Sequence, residues 1–300
     1  MKPKSKDACA TAAKEVAGQH REDEKKLEDR MSRIGQKILV MSGKGGVGKS
    51  TVAVNLALSL ARAGHRVGLL DVDIHGPSVP RLLGLELEMP DAVEGLILPK
   101  IATDHLAVMS VGFLLDSPRT AVIWRGPRKY GLIRQFLRDV LWGNLDVLVI
   151  DAPPGTGDEP LAVVELTGAR SRALVVTTPQ DIAISDVRRS IGFCRELELP
   201  VAGLIENMSG FVCPQCGQRI ELFGSGGGAA LAREMDVPFL GSVPIDPRFV
   251  TDGDAGRPTV ARESDSPART AFAEAIRPLL ESVASASRGA GGQRVAGGEA

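Results

Sequence analysis

The sequence predicts a doubly wound α/β domain on a mainly parallel sheet, and three observations carry that expectation. Short β-branched and aliphatic runs recur at residues 38–42, 67–71, 147–151, 174–178, 201–206 and 239–243. Each run is apolar throughout rather than alternating, as a strand covered on both faces must be. Helix-periodic stretches lie between them, at residues 50–63, 127–141, 184–197, 228–235 and 268–283, and strands interleaved with helices build a parallel sheet. With 300 residues, 43% of them hydrophobic, the chain can bury one large core or two small ones.

Taken from the N-terminus, residues 1–34 are polar and densely charged, with Lys and Glu mixed and no sustained apolar period. They are expected to form a frayed or loosely helical leader outside the core. The folded unit is expected over residues 35–285. Its first strand runs into a glycine-rich loop, and the helix behind that loop closes at Gly64, in the C-terminal position that glycine favours. The strands at 67–71 and 147–151 both end on an acid, Asp71 and Asp151. Residues 286–300 are small and Gly-rich and are expected to form a disordered tail. No internal repeat is present.

Composition excludes several classes of function. A formal net charge of -1 gives no global pull toward nucleic acid or an anionic membrane, so neither is expected as a partner. No stretch approaches the roughly 20 apolar residues that span a bilayer. The opening MKPKSKDACATAAKEVAGQH lacks the apolar core of a secretory signal, and Glu22, Asp23, Glu24, Glu28 and Asp29 are out of place in a transit peptide. A cytoplasmic protein is expected. Arg128, Lys129, Arg134 and Arg138 form a local basic run on a helix, which reads first as a solvated face.

Gly43, Lys44, Gly45, Gly46, Val47, Gly48, Lys49 and Ser50 spell a GxxxxGK[ST] loop between the strand ILVMS and a helix opening at Thr51. Backbone N–H groups of such a loop turn inward around phosphates, Lys49 neutralises β/γ charge, and the Ser50 hydroxyl suits Mg²⁺. A single P-loop NTPase domain that binds ATP and hydrolyses it is therefore expected. Lys44, at the loop's second position, is poorly placed for its own phosphates but well placed to reach a γ-phosphate across a subunit interface. DVDIHGPS puts Asp71 and Asp73 at the carboxyl edge of the sheet, where one acid could orient the attacking water and the other help a metal shell. Asp151 ends LDVLVIDAPPG as a Walker B acid should, and the turn of Pro153, Pro154, Gly155, Thr156 and Gly157 can respond to a γ-phosphate as a switch. His75, beside Asp73, reads most simply as a turn residue.

Cysteine usage adds a second theme. Cys213 and Cys216 form a CxxC pair, while Cys9 and Cys194 have no close partner in sequence. Two thiolates at this spacing reach one metal, but a [4Fe-4S] cluster or a structural zinc takes four. A second CxxC from a symmetric partner completes such a site on a two-fold axis. Zinc stays open, because Cys-Pro-x-Cys-Gly is also the shape of a zinc knuckle and thiolates suit both metals. A redox disulfide fits less well, since the motif follows a strand end rather than opening a helix.

With KGGVGKS, DVDIHGPS and IDAPPGTGDE in order, the chain resembles the deviant Walker A ATPases. IWRGP at 123–127, TTPQD at 177–181, ENMSGFVCPQCG at 206–217 and FGSGGGAALA at 223–232 narrow the resemblance to the Mrp/Nbp35/ApbC family of iron-sulfur cluster carrier ATPases, in its short bacterial or archaeal form. The resemblance implies a homodimer with ATP near the interface, Lys44 acting in trans, Asp73 helping to activate water, Asp151 in the Mg²⁺ shell and Asn207 recognising adenine. It also implies that Cys213 and Cys216 of two subunits bridge one [4Fe-4S] cluster for delivery to apo iron-sulfur proteins. The four-cysteine motif of longer relatives is missing before the P-loop, where only Cys9 stands. Three other classes share parts of this pattern: a partitioning or division-site ATPase acting on DNA or membrane, an iron-protein reductase, and a zinc-stapled regulatory ATPase.

Overall fold

The computed structural model describes residues 6–86, 88–114, 126–213, 215–261 and 266–291. In chain order its helices are α1 (Lys6–Ser32), α2 (Lys49–Arg62), α3 (Val79–Leu83), α4 (Gly126–Asp139), α5 (Asp158–Thr167), α6 (Asp181–Glu196), α7 (Gly227–Glu234), α8 (Pro247–Asp254) and α9 (Pro267–Gly291). The strands are β1 (Ile34–Ser42), β2 (Val67–Asp71), β3 (Ala92–Val93), β4 (Leu96–Ile97), β5 (Lys100–Thr103), β6 (Leu106–Ser110), β7 (Leu145–Asp151), β8 (Ser171–Thr177), β9 (Val201–Val212), β10 (Arg219–Ile220) and β11 (Phe239–Ile245). The main sheet runs β10-β9-β8-β1-β7-β2-β6-β5, with β11 also pairing β9. Pairs from β9 through β6 are parallel, as is β11 on β9, and only β5 and β10 run antiparallel, at the two ends of that path. This is the expected mainly parallel α/β fold.

The apolar runs are buried for the reason their sequence gives. Residues Val147, Leu148, Val149 and Ile150 of β7 are all fully buried, which requires cover on both faces. On β1 the adjacent residues Gln36 and Lys37 project to opposite faces. Gln36 Nε2 donates to the Ser282 carbonyl of α9, and Lys37 Nζ donates to the Ala169 carbonyl beyond α5, so these helices lie on opposite sides of the sheet. Burial, with the positive charge of Arg170 nearby, holds the Lys37 ammonium below the usual lysine range.

Two boundaries differ from the expectation. The leader is not outside the core: α1 is continuous through Ser32, and Leu27 and Met31 of its last turns are buried against the sheet. Charge pairing fixes it there, because Asp23 meets Arg138 of α4 at 2.5 Å and Arg30 Nε donates to the Arg138 carbonyl at 3.3 Å. At the other end α9 continues through Gly291, past the expected start of the tail at 286. Its stripe of Phe272, Ala275, Ile276, Leu279 and Val283 is buried at helical spacing, and the following Ala and Arg residues extend it by ordinary helix propensity. The rest of the tail, residues 292–300, lies outside the described residues, as do Pro214 and Ile123–Arg125 of the IWRGP stretch and the side chain of Cys9.

Candidate functional site

Four of the expected residues meet at the carboxyl ends of β1, β7 and β2. Strand register sets this up, since Asp151 stands beside Val40 of β1 on one side and Asp71 of β2 on the other. Lys49 opens α2 and is 6% exposed. Its Nζ lies 2.5 Å from Asp151 Oδ1, 3.3 Å from Ser50 Oγ and 3.9 Å from Asp73 Oδ2. Ser42 Oγ donates to the Lys44 carbonyl at 3.0 Å and shapes the start of the loop.

The loop is also braced from β9. Asn207 Nδ2 donates to the Val47 carbonyl at 2.9 Å. Gly48 has φ +83, and a Cβ there would come within 2.3 Å of Asn207 Nδ2, so both the backbone and the close approach demand glycine. Gly48, Thr51 and Asn207 form one wall of a cavity of about 470 Å³ closed by Val243, Phe249 and Phe272. Its lining is mostly apolar, with Thr51, Asn207, Asp246 and Asp254 as polar residues, and it lies beside the phosphate loop at Gly48.

The two strand-ending acids do different work. Burial, and next the negative charge of Asp151, push the Asp71 carboxyl up to about 7. Its oxygens are already used: Oδ1 accepts from the Asp73 N–H at 3.0 Å, and Oδ2 accepts from the Val79 N–H at 3.3 Å and from Ser110 Oγ at 2.9 Å. Asp71 thus shapes the loop carrying Asp73. Asp73 Oδ1 accepts from the Gly76 N–H at 3.2 Å and its other oxygen faces Lys49. Burial pushes Asp151 up as well, opposed chiefly by Lys49. Asp151 Oδ2 is buried with no hydrogen-bond partner, one of two such side-chain atoms among the described residues. An orphaned carboxylate oxygen next to the Ser50 hydroxyl is an oxygen donor set that fits a hard divalent cation.

Lys44 lies apart from this cluster, its Nζ donating to Gln180 Oε1 at 3.1 Å at the head of α6. A tie not foreseen from sequence joins both switch loops to α4: Lys129 Nζ sits 2.6 Å from Glu159 Oε1 and 2.9 Å from His75 Nε2. Glu159 follows the Pro-Pro-Gly turn and His75 follows Asp73, but nothing in their spacing announces a shared lysine. The expected solvated basic face holds for the exposed Arg128 but not for two others: Lys129 is paired with Glu159, and Arg138 with Asp23 and Asp139. Glu206 was likewise not singled out. It is fully buried at the end of the apolar part of β9 and accepts from Ser209 Oγ, the Gly226 and Gly228 N–H groups and Ser242 Oγ, pinning the glycine-rich turn that starts α7.

Cys213 and Cys216 sit at the tip of the hairpin formed by β9 and β10. The Cys213 N–H donates to the Gln218 carbonyl at 2.9 Å, and the Gly217 N–H donates to the Cys213 carbonyl at 2.8 Å, making a tight knuckle. Backbone N–H groups of Cys216 and Gln215, with the Cys216 thiol, hold the Cys213 thiol below its usual range, favouring the thiolate a metal needs. Cys216 is exposed and Cys213 half-buried. Among the described residues no group of three or more His, Cys, Asp or Glu is arranged to hold a metal, and the hairpin itself carries two thiols. Cys194 is a core residue, its thiol pushed up to about 12 by burial. A second cavity, of about 680 Å³, lies against Cys213 and shares Pro244, Ile245 and Asp246 with the first.

Comparison with known proteins agrees with this geometry. Residues 33–280 match the ParA family described as NUBPL iron-transfer P-loop NTPase. An "Iron-sulfur cluster carrier protein" of Methanocaldococcus jannaschii is 46% identical over 279 residues, covering 93% of this chain and 94% of that one. The "Cytosolic Fe-S cluster assembly factor NUBP2" of Bos taurus is 49% identical over 247 residues, covering 81% of this chain and 91% of that one. Among solved structures, a nucleotide-binding protein of Archaeoglobus fulgidus in complex with ADP superposes with TM-score 0.71 at 39% identity, over 81% of this chain and 95% of that one. The MinD cell division protein of Aquifex aeolicus shares the fold, with TM-score 0.55 at 23% identity over 82% of this chain and 97% of that one.

Proposed function

The chain belongs to the NUBPL iron-transfer P-loop NTPase family, and from that premise we propose that it is an ATPase that assembles a [4Fe-4S] cluster between two subunits and hands it to apo iron-sulfur proteins. The observation that carries the reading is that a single strand, β9, bears Asn207 against the phosphate loop and ends in the Cys213/Cys216 hairpin. Fuel and cargo sites are then parts of one element. The cytosolic setting in the printed names of the NUBP2 relatives supports work in the cytoplasm.

In this reading the loop from Gly43 to Ser50 cradles the phosphates, Lys49 leaves its acids for the β/γ oxygens, and Asn207 with the 470 Å³ cavity takes the adenine. Ser50 and Asp151 would hold Mg²⁺, which neutralises phosphate charge when bound. Asp73 orients the water that attacks the γ-phosphorus while the bridging P–O bond to ADP breaks. Lys44, held on Gln180 at 3.1 Å within its own chain, reaches the partner's γ-phosphate once two subunits face each other. Cargo transfer is ligand exchange, recipient thiolate for carrier thiolate, with no change in electron count. The pairing of Lys129 and Arg138 of α4 with acids leaves less free positive charge there for nucleic acid and supports a protein recipient. The described helices include none long and apolar enough to cross a membrane.

The knuckle geometry at Cys213 also favours a second reading, tetrathiolate zinc at the same place. Anaerobic reconstitution with iron and sulfide, followed by absorption spectroscopy, metal analysis and sizing, separates the two. The expected result is a brown dimer with one cluster per two chains, lost in the Cys213→Ser/Cys216→Ser double variant. Zinc in place of iron, or a double variant that keeps its cluster, refutes the carrier assignment.

A further inference from the structure

Between the nucleotide pocket and the cysteine hairpin, β9 departs from regular pairing. Val243 of β11 pairs with Asn207 and Ile245 with Phe211, so Pro244 alone faces Met208, Ser209 and Gly210. This is an enlarged bulge, a device that re-aims whatever follows it. Two of its residues are left-handed, Met208 at φ +57 and Gly210 at φ +75. Glycine adopts that conformation freely, but methionine keeps it only where its surroundings hold it.

Those surroundings are the two functional sites. Toward the phosphate loop, Met208 Cε lies 3.7 Å from the position a Cβ on Gly48 would take, beside the Asn207 bond to the Val47 carbonyl. Toward the hairpin, Arg219 Nη2 donates to the Ser209 carbonyl at 3.0 Å and to its hydroxyl at 3.4 Å. The Arg219 Nε stands 3.0 Å from where a Cβ on Gly210 would be, so the guanidinium is seated against the bulge. Arg219 itself pairs with Val212 as the first residue of β10, directly closing the turn that holds Cys213 and Cys216. Pro244, Ile245 and Asp246, opposite the bulge, line both the nucleotide-side and the cysteine-side cavity.

We infer that Arg219 is a positioning residue that latches the cysteine hairpin to the β9 bulge, so that nucleotide in the phosphate loop resets the placement of Cys213 and Cys216 within one subunit. The nucleotide arm of this inference rests on the family and the thiol arm on the geometry of the hairpin. It deepens the carrier reading by giving ATP an intrasubunit route to the cargo, and it does not require that the thiols hold iron.

The test uses the full-length protein without cluster, with and without a non-hydrolysable ATP analogue and Mg²⁺. Iodoacetamide labelling of the peptide holding Cys213 and Cys216 is followed by mass spectrometry. In wild type the nucleotide changes the labelling rate by about fivefold or more, the lower end of ordinary coupling between sites. In Arg219→Gln nucleotide affinity stays as in wild type but the labelling rate no longer responds. Arg219→Lys, which keeps a donor for the Ser209 carbonyl, retains the response and shows that the hairpin has not simply unfolded. A wild-type rate indifferent to nucleotide overturns the inference. So does an Arg219→Gln response equal to wild type, since the change then comes from subunit contact rather than from β9. Failure of the protein to bind iron would sink the carrier reading while leaving these labelling results to stand.

Discussion

Lys49→Met tests the electrostatics of the site more sharply than its loss of nucleotide binding alone. Lys49 Nζ is 2.5 Å from Asp151 Oδ1, with the acid fully buried. Removing one member of a buried pair costs roughly 3–5 kcal/mol when the other must stay charged. Asp151 has an escape, which is to bind a proton. Burial already pushes its carboxyl up and Lys49 is the largest influence opposing that, while Asp71 beside it also loses the lysine's help. In the variant the folded protein therefore carries at least one proton that the unfolded chain, with ordinary carboxyls near 4, has released. Stability is then greatest below the unfolded value and falls as pH rises toward the folded one, by ~1.4 kcal/mol per pH unit for each such proton. Denaturant unfolding without nucleotide should show the deficit of Lys49→Met relative to wild type widening as pH rises above the ordinary carboxyl value, by up to ~1.4 kcal/mol per pH unit for each such proton. Adding Asp151→Asn removes the charge and should recover most of the loss at the higher pH. A deficit equal at every pH, or no recovery in the double variant, would refute the picture of a charge held ionised by Lys49.

Two further outcomes are expected. Lys44→Ala and Asp73→Asn should each be nearly inactive as ATPases yet bind nucleotide, and a remixed equimolar sample should regain about a quarter of wild-type turnover, because half the dimers are mixed and each mixed dimer has one complete site; no recovery on mixing means that Lys44 acts within its own subunit. Glu206→Gln swaps an acceptor for an amide among four donors, and should lower the unfolding free energy by about 1–3 kcal/mol, read as a reduced Tm with nucleotide affinity retained; an unchanged Tm would mean the turn before α7 is held by other contacts.

How much of this was legible in the sequence follows from what each signal encodes. Strands buried on both faces are continuous apolar runs, so β2 was bounded correctly from residues 67–71 alone. β6 was missed because its run, Leu106–Ser110, is short and sits among polar turns, and α5 because its Asp-Glu-Pro opening hides a helix start behind the switch turn. The phosphate loop and its acids were readable because backbone turning and strand ends impose residue types at fixed spacing. Spacing alone did not tell Asp71 from Asp73, and the resemblance pointed to Asp73; the folded chain adds that Ser110 and the Val79 N–H occupy Asp71. The Lys129 tie depends on three distant segments meeting, which no local pattern records. The leader misled through composition: among the described side chains of its charged helix only Leu27 and Met31 are buried, and that is too sparse a stripe to register as a period.

The length of β9 explains how the phosphate loop and the cysteine hairpin come to share one element. The apolar run that marks it in sequence stops at Glu206, but the strand continues to Val212 because β11 and β10 supply partners beyond the point where β8 ends. That extension lifts the hairpin past the sheet edge at the phosphate loop, and Cys213 lies six positions after Asn207, roughly 20 Å if fully extended and less across the bulge. In the carrier we propose, the two thiols of each hairpin make a four-thiolate site only while two hairpins face one another, and each hairpin is joined through β9 to its own chain's phosphate loop. On that proposal, nucleotide in either loop alters the distances between thiolates and with them the hold on the cluster. An isolated zinc knuckle needs no such connection, and a chain built only to staple itself gains nothing from placing its cysteines on the strand that touches ATP.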